Sequence, residues 1–97
     1  MKSQSVLSDV TDCLKLLSEE NRLLILKALA KKPQAVSMLA ELTDLEQSLV
    51  SHHLQDLKKA GWIESEKKGR QVFYSLAPSV KYDDKELKLN CCSVRLG

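Results

Sequence analysis

The sequence predicts a mainly α-helical fold closed by a single β-hairpin, and three observations predict it. Apolar residues recur at helical spacing in successive stretches between Val6 and Leu57. After Gly61, two short runs alternate with period two on either side of Lys67-Lys-Gly-Arg. The chain has 97 residues, 43% of them hydrophobic, enough for one small core and not for two. Residues 1–97 are therefore read as a single domain, with residues 80–97 as a C-terminal tail.

The first helix is predicted over about residues 6–17, where Val6, Val10, Cys13, Leu14 and Leu17 share one side and Asp9, Asp12 and Lys15 the other. The second spans about 18–31. Ser18 is its expected N-cap, and Glu19 and Glu20 favour the positive end of the helix. Leu23, Leu26 and Leu29, or Ile25 and Leu29, would face inward, and Lys32-Pro33 ends the helix because the residue before proline is pushed out of the α region. Ser37 is expected to cap a short third helix over about 37–43, Thr43-Asp44 opens a turn, and a fourth helix runs over about 47–60. Gly61 stops it as a C′ glycine would.

The hairpin follows over about residues 62–76, with Trp62 and Tyr74 expected in the core. Ala77-Pro78-Ser79 closes it. The tail has no helical apolar period; Leu87, Leu89 and Cys91 against Cys92, Val94 and Leu96 predict a short extended segment with a break near Asn90-Cys91.

The fourth helix carries the functional signal. Val50, Leu54 and Leu57 fall on one side; Gln47, Ser48, Ser51, His52 and Gln55 fall on the other. A helix face needed only for solubility usually carries Lys and Glu, whereas amides, hydroxyls and an imidazole suit the donors and acceptors of base edges in a major groove. The short connection between the third and fourth helices is that of a helix-turn-helix, and a basic hairpin directly after it is a wing whose Lys67, Lys68 and Arg70 would meet phosphates. The predicted architecture is thus a winged helix-turn-helix.

Composition bounds the alternatives. Fifteen Lys and Arg against thirteen Asp and Glu give a net charge of +2, so DNA binding must rest on local charge rather than bulk charge. The longest uninterrupted apolar run is Leu23-Leu-Ile-Leu, and a bilayer crossing needs roughly 20 residues. No secretory apolar region opens the chain, so a cytoplasmic protein without a membrane partner is expected. Three cysteines, two of them adjacent, make thiols or metal ligands rather than a disulfide framework. No enzyme is predicted, because Ser51 and His52 lack an orienting third group and an oxyanion turn. His52 and His53 point about 100° apart on a helix and cannot chelate one ion. Asp83-Asp84 is expected to be a solvated turn.

Three blocks in order, Leu17-Ser-Glu-Glu-Asn-Arg-Leu-Leu-Ile-Leu, Gln47 to Ile63, and Lys68-Gly-Arg-Gln-Val-Phe-Tyr-Ser-Leu, resemble the ArsR/SmtB winged-helix repressors over about residues 6–77. The resemblance implies a homodimer that binds operator DNA and releases it when an inducer occupies a cysteine-bearing site, with no cofactor required. It places Gln47, Ser48, Ser51 and His52 near bases, Lys68 and Arg70 in the wing, and His53 nearer the DNA backbone or the core.

The chain departs from the family's inducer sites: no Cys-x-Cys stands near the end of the third helix, and the tail has no His. The resemblance further implies that the first helix and the C-terminal segment share the dimer interface, which would let Cys13 meet Cys91 and Cys92. Three thiolates suit As(III) or Sb(III) better than zinc. A thiol-oxidation or persulfide switch, a winged-helix protein-interaction module and a thiol-based metal buffer or redox relay are the competing expectations, and Cys13 alone would otherwise be a small buried hydrophobe.

Overall fold

A computed structural model describes Lys15 and residues 19–83, 85–89 and 92–95. Among them are helices α1 (Glu20–Lys31), α2 (Val36–Thr43) and α3 (Gln47–Lys59) and strands β1 (Gln34–Ala35), β2 (Ile63–Lys68), β3 (Gln71–Leu76), β4 (Lys81–Asp83), β5 (Glu86–Lys88) and β6 (Ser93–Arg95). The helix predicted over about 6–17 lies outside the described residues apart from Lys15, which is helical.

The helices after it form where their apolar spacing puts them. Ile25, Leu26, Ala28 and Leu29 of α1 are buried, and Lys32 is fully extended ahead of Pro33 (φ −170°, ψ 161°). Two expected caps move. The N-cap of α1 is Glu19 rather than Ser18, because the extended backbone falls at Glu19 (φ −87°, ψ 116°). Its carbonyl accepts from Arg22 N and Leu23 N, and its side chain makes no capping bond. Ser37 lies inside α2 rather than at its cap, because β1 pairs Ala35 with Phe73 and hands the chain straight into the helix at Val36.

The helix-turn-helix connection is the three residues Asp44 to Glu46. Asp44 takes the left-handed conformation (φ 58°, ψ 35°) and its N–H bonds the Ala40 carbonyl, ending α2. Thr43 is buried there with its hydroxyl donating to the Leu39 carbonyl at 2.8 Å. At the other end of α3, Gly61 (φ +82°) donates to Lys58 O and Trp62 donates to Leu57 O, the paired bonds of a Schellman motif. That motif turns Trp62 back into the core, where it is 2% exposed.

Strands β1, β3 and β2 form one antiparallel sheet in that order. The β2–β3 hairpin pairs Ile63 with Leu76 through to Lys68 with Gln71, so its loop is Gly69-Arg70, with glycine at the positive-φ first position that a type II′ turn requires.

The tail folds further than its alternation foretold: β4, β5 and β6 make a second antiparallel sheet, with Leu87 paired to Tyr82 on one side and Val94 on the other. Leu87 is fully buried and joins Ile25, Leu26, Leu39, Val50, Leu54, Leu57 and Trp62 in one core, against which Leu89, Cys92 and Val94 pack. Burying a side chain of this size is worth roughly 1.5–3 kcal/mol. The small sheet is therefore held by the helices rather than by its own three-residue strands.

Candidate nucleic-acid interface

Helix α3 separates its two faces sharply. Val50, Leu54 and Leu57 have no solvent exposure. Gln47, Ser48, His52 and Gln55 are exposed and Ser51 is half-buried, all on the opposite side. Among the described residues, nothing buries Gln47, Ser48, His52 or Gln55, and Ser51 is covered in part. Leu49, 43% exposed, stands beside this polar face and adds an apolar group to it.

Between the polar face and the core runs a charged seam that sequence reasoning did not find. Arg22 of α1 reaches across to α3: its Nε donates to His53 Nδ1 at 3.1 Å and its Nη2 donates to Asp56 Oδ2 at 2.7 Å. The same Asp56 oxygen lies 3.6 Å from His52 Nε2, one turn away. His53 is 5% exposed. Because its Nδ1 accepts a hydrogen bond, the imidazole is neutral, and burial first, then the Arg22 charge, holds its pKa below the usual histidine value against the opposing pull of Glu19 and Asp56. The available signals were the i, i+3 spacing of His53 and Asp56 and a single arginine directly before the apolar run Leu23-Leu-Ile-Leu.

The wing follows α3 directly and is tied to it by Lys58, whose Nζ donates to Ser65 Oγ at 2.8 Å. Lys67, Lys68 and Arg70 are exposed around the hairpin loop. Lys68 Nζ also lies 5.8 Å from the centre of the Phe73 ring, which biases where that cation points without burying it. Three cations therefore stand on a hairpin anchored to the C-terminal end of α3.

The expected thiol site is only partly represented. Cys92 is half-buried and packs against the core, and its carbonyl accepts from Leu89 N at 2.8 Å; Cys13 and Cys91 lie outside the described residues. Among the described residues no cluster of three His, Cys, Asp or Glu side chains could hold a metal ion, and no helix is long and apolar enough to cross a membrane. A groove of about 600 Å³ opens between α1 and α2, lined in part by Leu24, Met38 and Leu42, which are 38%, 41% and 53% exposed. None of the polar residues of α3 borders it.

Comparison with known proteins bears on this geometry. Residues 19–65 match the family model described as bacterial regulatory protein, arsR family. The cadmium resistance transcriptional regulatory protein CadC of Listeria innocua serovar 6a is 41% identical over 66 residues, which are 67% of this chain and 56% of the relative. The chain thus spans little more than half the length of that relative.

Among solved structures, the homodimeric winged helix-turn-helix DNA-binding domain of Mb0332 from Mycobacterium bovis, a possible ArsR-family transcriptional regulator, superposes with a TM-score of 0.69 at 32% identity, covering 78% of this chain and 70% of that one. HlyU from Vibrio cholerae superposes with a TM-score of 0.67 at 32% identity, covering 81% of this chain and 84% of that one; it is named a transcriptional activator.

Proposed function

The chain belongs to the arsR family of bacterial regulatory proteins, and from that premise we propose that it is a repressor that binds operator DNA as a homodimer and is released by a thiol-binding inducer. The observation that carries this reading is the outward polar face of α3 with the basic wing beside it. The Gln47 and Gln55 amides can pair with the N6 and N7 positions of adenine, and Ser48, Ser51 and His52 with single donors or acceptors. Lys68 and Arg70 supply phosphate contacts that fix the helix in the groove. Two copies would enter successive major grooves about 34 Å apart on one side of the duplex. The homodimeric state of the Mycobacterium bovis domain supports that stoichiometry.

For the inducer, Cys13, Cys91 and Cys92 are the proposed ligands, and three sulfurs favour As(III) or Sb(III). The name of the Listeria relative raises cadmium, another thiophilic ion, as the direct competitor. A hundredfold release needs the ion to prefer the non-binding state by only about 2.7 kcal/mol. No catalysis is part of this function.

Selection of duplexes from a random-sequence pool tests the first claim: one sequence class with two-fold symmetry should be enriched. Gel shifts on that duplex with arsenite, cadmium, zinc and peroxide in turn test the second. A Cys91→Ser/Cys92→Ser protein should still bind and no longer let go. Failure to enrich any sequence would sink the DNA reading; release of the double variant by every agent would sink the thiol site. A reporter placed behind the selected duplex separates repression from the activation attributed to HlyU.

A further inference from the structure

We propose that Arg22 and His53 are positioning residues for the reading helix, and that protonation of His53 weakens sequence-selective DNA binding. This rests on the reading of α3 as the DNA-contacting helix. The seam joins three things that otherwise would be independent. Arg22 belongs to α1, His53 faces the core, and Asp56 shares its Oδ2 between Arg22 at 2.7 Å and His52 at 3.6 Å, a residue of the reading face. One guanidinium thereby fixes the roll of α3 against α1 and, through Asp56, the neighbourhood of a base-contacting side chain.

The hydrogen bond from Arg22 Nε to His53 Nδ1 exists only while that nitrogen keeps its lone pair. A proton added at Nδ1 occupies the lone pair and leaves two N–H groups, both on cations, facing each other across the 3.1 Å that the bond now spans. The groups that face His53 are Arg22 and Glu19 at the start of α1 and His52 and Asp56 on α3. Glu19 and Asp56 favour the proton; Arg22, His52 and burial oppose it. Once it binds, Arg22 is driven off His53, its grip on Asp56 loosens, and Asp56 is left to draw His52 away from the duplex. Acid thus rolls α3 and withdraws a reading side chain in one step.

The test uses the full chain and a duplex selected from the random pool by the wild type at about pH 7.5, with a scrambled duplex alongside to report nonselective binding. By linkage, each protomer can lose up to about tenfold in affinity per pH unit below the His53 midpoint of the free protein, so selective affinity should fall at least about tenfold between about pH 7.5 and one unit below that midpoint. Binding to the scrambled duplex should not fall with it. His53→Asn places an amide oxygen near the position of Nδ1 that accepts from Arg22 and takes no proton in this range, so its selective affinity should change by less than about threefold over the same interval. Arg22→Lys keeps the charge but loses the Nε–H, and should bind more weakly at both ends of the range.

A second measurement needs no variant: the His53 imidazole, followed by NMR, should titrate at lower pH in the DNA complex than in the free protein. Equal midpoints, or a His53→Asn protein with the pH profile of the wild type, overturn the inference while leaving the DNA reading intact. A wild type that selects no duplex at all overturns both.

Discussion

Arg22 Nη2 and Asp56 Oδ2 meet at 2.7 Å across 34 positions of sequence, with side chains only 13% and 27% exposed. Partial burial makes this ion pair worth more than a surface one, whose median contribution is about 0–1 kcal/mol. Asp56→Ala leaves the guanidinium without its carboxylate in a half-dry seam, so unfolding in urea should show a loss of about 1–2 kcal/mol. Combined with Arg22→Ala in a double-mutant cycle, the coupling should be about 1 kcal/mol. Strict additivity of the two losses would mean that the pair contributes geometry and no stability.

Stability should also depend on pH through His53. Its pKa in the folded chain is held below the ordinary 6.5 by burial and by Arg22. Between those two values the unfolded chain binds a proton that the folded chain refuses, so this contribution is whole above 6.5 and declines as pH falls toward the folded midpoint. Urea midpoints at about pH 7.5, 6.5 and 5.5 should therefore decrease in that order, with a shallower decrease in His53→Asn. Parallel slopes in the two proteins would assign the acid sensitivity to other groups.

The elements legible in the sequence were those whose signal is periodic. Val50, Leu54 and Leu57 declared the buried side of α3 by spacing alone, and Gly61 declared its end, because a C′ position favours the residue without a Cβ. The polar face opposite them was legible for the same reason. The seam beneath it was not, since Arg22 and Asp56 are ordinary surface types until two helices bring them together. Strand β1 was invisible because two residues carry no period; only their pairing with Tyr74 and Phe73 makes them a strand. The tail announced extension but not a sheet, because what holds Leu87 is the remote core and not its neighbours in sequence.

That dependence makes Leu87 the test of whether the C-terminal sheet belongs to the folding unit. Its side chain has no exposure and lies in the same cluster as Leu26 and Leu54. Leu87→Ala should cost about 2–4 kcal/mol in a single cooperative transition. A loss below about 1 kcal/mol, or a separate early transition, would mean that the sheet folds apart from the helices.

Lys85 sits in the turn between β4 and β5 with φ at 65°, a left-handed conformation that crowds its Cβ against the backbone. Glycine removes that strain and gives back part of the gain as chain entropy in the unfolded state. Lys85→Gly should raise stability by about 0.5–1 kcal/mol, seen as a melting temperature some 3–5 °C higher. An unchanged or lower melting temperature would show that the turn is not held in this conformation in solution.

The wing and the reading helix should fail in different ways. Lys68 and Arg70 are exposed cations on the hairpin, and a cation that meets a phosphate contributes through counterion release, which does not depend on sequence. Replacing either by Ala should weaken binding to every duplex alike and lower the slope of log affinity against log salt by about 1 per protomer. Gln47 is uncharged and exposed at the first turn of α3. If it reads a base, Gln47→Ala should leave the salt slope alone, cost about 1–3 kcal/mol on the selected duplex and relax the preference at one position of each half-site. Titrations at four salt concentrations on the selected and scrambled duplexes separate the two signatures. Should Gln47→Ala reduce the salt slope, or Lys68→Ala alter the preferred sequence, the assignment of base contacts to α3 and phosphate contacts to the wing would be reversed.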